Sequence, residues 1–222
     1  MSMSVAVADH HEITRLGVQS VVEGMGGEVV ATATTGLEAV SMIEEHTPDL
    51  LVLSLRLPHL NGFDVLYHLQ RRSIEVNVLV LTTCDDEERV RSVFQQGASG
   101  YVLKQDPMDE LCQAIERVHA GQRYISSTLP RELVDAAGDD TSTLEEGASL
   151  TIRERQVVQL TAEGYTSREV GEHLNISHRT VEKHRENIKR KLDVESLVDM
   201  ARFALRRNVL PDVRSLQARS SA

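Results

Sequence analysis

Over residues 1–126 the chain alternates five times between a short apolar run and a longer stretch whose apolar residues recur at helical spacing. Such repeated alternation indicates a parallel sheet with helices on both faces and right-handed crossovers. The predicted strands are 4–8, 28–33, 49–53, 77–81 and 100–103, and the predicted helices are 11–25, 36–46, 62–71, 86–96 and 107–120. We therefore predict a five-stranded, parallel, doubly wound α/β domain, with ligand chemistry at the carboxyl ends of its strands.

The pattern changes after residue 126. Residues 127–147 contain one short segment with helical character, at 130–137, before a polar and acidic run that begins GDDTSTLEEG. We interpret 127–147 as a linker in which 130–137 could form a short helix, because the run that follows is polar, small and acidic. A second domain is expected over residues 148–212, and residues 213–222 are expected to form a flexible tail.

The second domain is predicted to be all-α. Two S/T-x-x-E capping boxes, which begin at Thr151 and Thr166, mark the starts of two helices, and Ser177 can cap a third at 178–192. A fourth helix is predicted over 195–206. A short helix, a tight turn and a basic helix make the outline of a helix-turn-helix within a four-helix domain.

Charge is divided unevenly between the two domains. The whole chain carries a formal net charge of −10, which by itself disfavours nucleic-acid binding. Residues 1–147 hold 10 basic and 24 acidic side chains, whereas 148–222 hold 14 basic and 10 acidic ones. Within 178–192 there are six Lys or Arg and two Glu. The positive charge is local, so a DNA-facing surface can exist within an acidic protein.

Several classes of protein are disfavoured. The opening MSMSVAVADHH lacks the basic start and apolar run of a signal peptide, and no segment approaches the roughly 18 to 20 apolar residues of a membrane helix. Cys84 and Cys112 form no disulfide framework or CxxC pair. We expect a cytoplasmic protein with no membrane partner and no cofactor. We also expect no enzymatic activity, because no nucleophile–base pair and no complete metal set are present.

Four segments of the first domain carry a family resemblance: VAVADHHEITRLG, PDLLVLSLRLPHLNG, VLVLTTCDDEE and GASGYVLK. Residues 4–122 resemble a response-regulator receiver domain, which has a flavodoxin-like fold. The resemblance implies that Thr82 is the family's hydroxyl residue, Tyr101 its switch aromatic and Lys104 its conserved-type lysine.

The set of residues that the family uses for phosphorylation is incomplete in this sequence. By resemblance, the family's chemistry uses three carboxylates around one Mg²⁺, two after the first strand and the phosphoacceptor after the third. Here Asp9 is followed by His10 where the second acid belongs, and Ser54 stands at the phosphoacceptor position. Mg²⁺ demands oxygen ligands in near-octahedral geometry. We therefore expect no aspartyl phosphate and no metal ion at this site. A serine ester at Ser54 would require a separate kinase.

Alternatives remain open for the same residues. Lys104 is expected to pair with Asp9, its nearest anion, but Lys104, Thr82 and Ser54 could instead form a pocket for an anion or ligand. The adjacent His10 and His11 are a weak signal for a transition metal. Cys84, near the same rim, is either a small loop residue or a thiol sensor.

The segment LTIRERQVVQLTAEGYTSREVGEHLNISHRTVEKHRENIKRKLDV resembles the NarL/LuxR-type helix-turn-helix over residues 149–210. Its basic helix is amphipathic, and such a helix fits a major groove about 12 Å wide. The N-cap Thr166 is expected to bind phosphate. Glu182 and Glu186 depart from the family pattern: they repel phosphates, but a glutamate can accept from cytosine N4. The expected DNA-binding residues are Thr166, Arg179, Thr180, Glu182, Lys183, His184, Glu186, Arg190 and Lys191.

We predict a sequence-specific, dimeric transcription regulator of double-stranded DNA that acts without aspartyl phosphorylation. Its activity would be set by dimer equilibrium, a small-molecule or protein effector, or protein level. The dimer surface would be 86–120 or the first and last receiver helices. The alternative is an interaction module that titrates another regulator and binds DNA weakly or without sequence preference.

Overall fold

The computed structural model describes residues 3–135, 150–196 and 199. Three predicted segments lie mostly or wholly outside these residues: the linker at 127–147, the fourth helix at 195–206 and the tail at 213–222.

The N-terminal domain alternates strands and helices as predicted. The strands are β1 (Ser4–Ala8), β2 (Glu28–Ala33), β3 (Leu50–Leu53), β4 (Asn77–Thr82), β5 (Gly100–Leu103) and β6 (Tyr124–Ile125). The helices are α1 (Glu12–Gly24), α2 (Gly36–His46), α3 (Gly62–Arg71), α4 (Glu87–Gln95), α5 (Met108–His119) and α6 (Glu132–Asp135). All strand pairs are parallel, and the order in the sheet is β2-β1-β3-β4-β5-β6.

The prediction of five strands is wrong by one. Strand β6 has only two residues, too few for a recognisable apolar run, and it pairs with Gly100 and Tyr101 of β5. It follows a turn at Gly121, whose φ of 74° suits glycine. The parallel α/β architecture itself is confirmed.

Two apolar layers enclose the sheet. One layer joins the strands to α1 and α5, through residues such as Val18 and Ile115. The other joins the opposite strand faces to α2, α3 and α4, and includes Leu129 and Leu133 from the segment around α6. The first residues of the predicted linker therefore pack into the receiver core, because their leucines are apolar enough to be buried there. The central strand β3 is buried along its whole length, as its continuous apolar sequence predicts.

The loop between β3 and α3, residues 54–61, lies very close to its neighbours. A Cβ on Gly62 would lie 2.5 Å from the Ser54 carbonyl oxygen, and one on Gly36 would lie 1.8 Å from the Leu60 carbonyl oxygen. Only glycine allows such approaches. These two glycines therefore fix the loop against both the end of β3 and the start of α2.

The C-terminal domain is helical within residues 150–196. Its helices are α7 (Ile152–Ala162), α8 (Ser167–Leu174) and α9 (His178–Leu192). Both predicted capping boxes are present, at Thr151 and Thr166, and Ser177 accepts from the Thr180 amide. The turn between α8 and α9 places Asn175 at a φ of 52°, a left-handed conformation that asparagine tolerates. The core is aliphatic: Leu150, Val157, Val158, Leu160, Ala162, Val170, Leu174, Val181 and Ile188.

The two domains contact each other through α7 and α3. Gln159 of α7 donates to the Leu57 carbonyl oxygen of the β3–α3 loop at 3.2 Å. Arg155, one turn earlier on α7, bonds to Asp64 of α3 at 2.7 Å and stacks over the Tyr67 ring at 4.0 Å. Of the helices described, none has both the length and the apolar character needed to span a bilayer.

Candidate functional site

Parallel pairing brings the predicted pocket residues to one edge of the sheet. Ala8 is paired with Leu53, so Asp9 and Ser54 lie side by side just beyond β1 and β3. Thr82 ends β4 opposite Leu103. Lys104 follows β5, and its amide donates to the Thr82 carbonyl oxygen at 2.7 Å. The sheet thus gathers Asp9, Ser54, Thr82 and Lys104, because carboxyl ends of parallel strands share an edge.

Asp9 and Lys104 form an ion pair at the centre of this edge. The Lys104 ammonium lies 2.5 Å from Asp9 Oδ2, and the Asp9 side chain is 3% exposed. The other oxygen, Oδ1, accepts from the His11 amide at 2.8 Å. The pair that the sequence predicts is therefore present, and each carboxylate oxygen has a donor.

The two hydroxyls of the pocket bond to backbone. Ser54 is buried, and its Oγ donates to the Arg56 carbonyl oxygen at 3.4 Å. Thr82 Oγ1 accepts from the Cys84 amide at 3.3 Å. A hydroxyl is a far weaker nucleophile than a carboxylate at neutral pH unless a base activates it. In these contacts neither hydroxyl meets a base.

His10 contacts the Arg56 carbonyl oxygen, which also accepts from Ser54. Its Nδ1 lies 2.9 Å from the Arg56 carbonyl oxygen. Partial burial lowers the pKa of His10, the neighbouring His11 lowers it further, and the bond to Arg56 opposes the shift. The neutral ring is thus favoured. Ligand atoms of Asp9, His10 and His11 lie within 4.8 Å of one another, so these residues could hold a metal ion.

Tyr101 and Cys84 meet behind the pocket. The Tyr101 ring is fully buried, and its hydroxyl donates to the Cys84 carbonyl oxygen at 2.8 Å. Burial raises the pKa of Tyr101, with Cys84 contributing in the same direction. The Cys84 thiol is half-buried and lies 3.9 Å from an Arg89 nitrogen. The predicted switch aromatic is therefore packed inward.

The second candidate site is the exposed face of α9. Val181 and Ile188 are buried against α7 and α8, which turns the opposite face of the helix to solvent. Of the predicted DNA-binding residues, His184 and Lys191 are partly buried, whereas the others are exposed: Thr166, Arg179, Thr180, Glu182, Lys183, Glu186 and Arg190. Apart from Thr166, which caps α8, these exposed side chains lie on α9.

Lys191 and Glu182, two of the predicted contact residues, form ion pairs within the domain. The Lys191 ammonium lies 2.7 Å from Glu154 Oε2 on α7. Glu182 accepts from the Ser167 hydroxyl and lies 3.5 Å from Arg185. The charge of Glu182 is therefore partly offset by a neighbouring cation.

Arg185 organises this domain, a role that the sequence interpretation missed. It is 8% exposed, and its guanidinium donates to Thr161 Oγ1 at 3.1 Å, to the Tyr165 carbonyl oxygen at 3.2 Å and to the Ser167 hydroxyl. Burial lowers the pKa of Arg185, and Glu182 opposes this. The signal was available: Arg185 lies four residues after Val181 and three before Ile188, on the apolar stripe. Arg185 links α7, α8 and α9.

Comparison with known proteins identifies both domains. The model for the response regulator receiver domain matches residues 5–116. The model for bacterial regulatory proteins of the luxR family matches residues 148–204.

Relatives of similar length are known. The oxygen regulatory protein NreC of Staphylococcus haemolyticus is 35% identical over 217 residues, which cover 94% of this chain and 99% of NreC. A LuxR-family two-component response regulator from Aurantimonas sp. SI85-9A1 superposes with a TM-score of 0.57 at 32% identity, over 61% of this chain and 97% of its own.

A third likeness extends over both domains and shows the fold alone. The RcsB response regulator of Salmonella typhimurium aligns with a TM-score of 0.53 at 23% identity, over 91% of this chain and 97% of its own. The chain therefore belongs to the response regulators that join a receiver domain to a LuxR-family helix-turn-helix, and it is a DNA-binding transcription regulator rather than an enzyme.

Proposed function

We propose that this protein regulates transcription as a sequence-specific dimer whose receiver domain works without aspartyl phosphorylation. The observation that carries the proposal is the end of β3, where Ser54 stands beside an Asp9 carboxylate already paired with Lys104 at 2.5 Å. Activity would then depend on dimerisation, on an effector, or on the amount of protein in the cytoplasm.

The chemistry supports this proposal in two ways. A serine hydroxyl cannot form the acyl phosphate of an aspartate, and a phosphate ester is a different, more stable product. Mg²⁺ also requires a cluster of oxygen ligands, but Asp9 is the one carboxylate among the four pocket residues gathered at the strand ends. Lys104 holds one oxygen of that carboxylate. Both the phosphoacceptor and the metal site are thus depleted.

The exposed face of α9 supports direct DNA recognition. Arg179, Lys183 and Arg190 are exposed there, and cations on such a face neutralise phosphates. Glu182 is turned toward Ser167 and Arg185, which weakens its repulsion of the phosphates. Glu186 remains exposed and suits a cytosine N4 donor. The target site is expected to differ from those of relatives without these glutamates.

Two exposed apolar side chains support α1 as the proposed dimer surface. Ile13 and Leu16, one turn apart on α1, are 83% and 57% exposed. Exposed apolar side chains that are grouped on one surface are typical of a site where a partner binds. We propose that a second copy of the chain covers this patch, because two recognition helices require two protomers for two half-sites.

Acetyl phosphate with Mg²⁺ tests the control mechanism. Intact-mass spectrometry should find no phosphorylated protein after incubation, and DNA affinity should be unchanged by the treatment. A phosphorylated fraction that is labile to hydroxylamine, as acyl phosphates are, would overturn the proposal.

Measuring DNA affinity across a salt series distinguishes this proposal from the alternative, in which the protein binds and sequesters another regulator. Regulation by DNA binding predicts affinity that falls steeply with salt and still distinguishes specific from random duplexes. Salt-sensitive binding with no preference for any genomic sequence would favour the alternative function.

A further inference from the structure

His10 and His11 flank the strand-end pocket next to a buried carboxylate. Asp9, His10 and His11 each offer a ligand atom, and these atoms lie within 4.8 Å of one another. The side chains of His10 and His11 are 34% and 55% exposed, whereas Asp9 is 3% exposed. Incoming ions can therefore reach the imidazoles, and the carboxylate lies beneath them.

The contacts of His10 prepare its ring for a metal. A carbonyl oxygen can only accept, so the 2.9 Å contact between Nδ1 and the Arg56 carbonyl oxygen places the ring hydrogen on Nδ1. The lone pair is then on Nε2. Metal-binding histidines commonly donate their other ring N–H to a carbonyl or carboxylate, which fixes the tautomer and the ring orientation.

His11 is held by the carboxylate itself. Its Nδ1 lies 3.1 Å from Asp9 Oδ1, the oxygen that also accepts the His11 amide. Lys104 binds the other oxygen, Oδ2. His11 and the ammonium thus contact different oxygens of the same carboxylate, and the His10 Nδ1 lies 3.9 Å from Oδ1, so Oδ1 is on the side of the imidazoles.

These donors select the class of metal. Two imidazoles and one carboxylate oxygen suit Zn²⁺, Ni²⁺, Co²⁺ and Cu²⁺, whereas Mg²⁺ prefers oxygen ligands alone. Lys104 lowers the attraction of the site for cations in general. Metals that bond strongly to neutral imidazole depend least on the negative charge of Asp9 that Lys104 offsets.

The geometry points to a divalent transition-metal site formed by Asp9, His10 and His11, open to solvent at its remaining coordination positions. The exchange of an acid for His10 thus converts a position for a magnesium ligand into one for a softer ion. This inference is independent of the proposed function, since the site needs neither phosphorylation nor DNA.

Isothermal titration calorimetry of the full-length protein with ZnCl₂, NiCl₂ and MgCl₂ tests the site. We expect one Zn²⁺ or Ni²⁺ per chain and no heat from Mg²⁺. His10→Gln and His11→Gln should each weaken binding about tenfold or more, since each removes one of three ligands. His46→Gln, which changes an exposed histidine at the end of α2, is the matched control and should bind normally.

Two further measurements identify the ligands. The Co²⁺ complex should show visible bands without the near-ultraviolet thiolate band that Cys84 or Cys112 would give. Zn²⁺ should also raise the Tm of Lys104→Met more than that of the wild type, because the ion restores positive charge beside Asp9 and binding stabilises the folded state. Affinity that is unchanged in both histidine variants, a thiolate band, or equal binding of Mg²⁺ would overturn the inference.

Discussion

Asp64 of α3 and Arg155 of α7 form a buried ion pair across the boundary between the two domains. The Arg155 Nη1 lies 2.7 Å from Asp64 Oδ1, and the side chains are 14% and 3% exposed. Asn61 donates to the other carboxylate oxygen at 2.9 Å. Burial raises the pKa of Asp64, and the Arg155 guanidinium opposes that shift. The receiver and the DNA-binding domain are thus joined by charges that water would otherwise solvate.

Asp64→Asn is expected to separate the domains. Removing one partner of a buried ion pair costs about 3–5 kcal/mol when the remaining charge stays buried. Undocking avoids this cost because it returns Arg155 to water. Small-angle scattering should therefore show a larger radius of gyration, and α7 amides should exchange faster. Glu44→Gln removes the exposed Arg72–Glu44 pair, worth about 0–1 kcal/mol, and should leave the scattering unchanged. An unaltered profile for Asp64→Asn would refute the role of the pair.

Restoring the missing carboxylates is expected to restore phosphorylation. The double variant His10→Asp, Ser54→Asp places three carboxylates at the strand ends, with Lys104 and Thr82 already present. Incubation with acetyl phosphate and Mg²⁺ should then add one hydroxylamine-labile phosphoryl group by intact-mass spectrometry. His10→Asp alone should stay unlabelled, since it lacks the acceptor. Absence of label on a folded double variant would mean that other pocket residues also prevent the chemistry.

Removing a cation from α9 should lower the affinity for DNA, and removing an anion should raise it. Lys183→Ala removes an exposed cation, so affinity should fall for all sequences and the salt slope should decrease by about one. Glu186→Gln removes an exposed anion and should strengthen binding to random DNA. Arg91→Ala, at an exposed receiver position on α4, serves as the control. Fluorescence anisotropy across a salt series measures all three, and equal slopes for Lys183→Ala and Arg91→Ala would exclude this face.

The capping box of α7 makes the C-terminal domain acid-sensitive. Burial acts to raise the pKa of Glu154, but bonds from Lys191 and Thr151 outweigh burial and hold the pKa below its usual range. A lowered carboxyl pKa contributes stability that is present above the unfolded value and is lost as pH falls through the folded value. Urea titrations, followed by the NMR amide signals of α7, should therefore show weakening below about pH 4.

Glu154→Gln should remove that acid sensitivity and cost about 1–2 kcal/mol at neutral pH. Glu38→Gln is the matched variant in the receiver, where bonds from Thr34 and Thr35 lower the pKa of the α2 capping glutamate. It should leave the α7 signals unaffected. Equal acid sensitivity in the wild type and Glu154→Gln would contradict the assignment.

The exposed patch on α1 should control the oligomeric state. Ile13→Lys and Leu16→Lys place charges on the proposed contact and should shift the protein to monomers in sedimentation velocity. Met108→Lys places the same charge at the exposed start of α5. It tests whether the dimer contact lies instead on this helix, which packs on the same face of the sheet. Dimers that persist in both α1 variants but dissociate in Met108→Lys would place the interface on α5.

Periodicity predicted most of the fold because burial of one helix face or of a whole strand leaves a regular apolar pattern. Strand β6 was missed because two residues carry no period. Residues of the pocket were also predictable, since each follows a strand and parallel strands end together. Contacts between helices that are distant in sequence left no such signal: nothing in the sequence pairs Asp64 with Arg155, 91 residues away. Arg185 interrupts an apolar stripe, and only the structure shows the oxygens that satisfy it.

The β3–α3 loop belongs to two sites at once. Arg56 accepts bonds from His10 and Ser54 in the pocket, and the next residue, Leu57, accepts one from Gln159 of α7. An occupant of the pocket that reshapes this loop must also change how strongly α7 is held. Thermodynamic linkage makes that influence reciprocal: whatever free energy the occupant adds to or removes from domain docking, docking adds to or removes from the binding of the occupant.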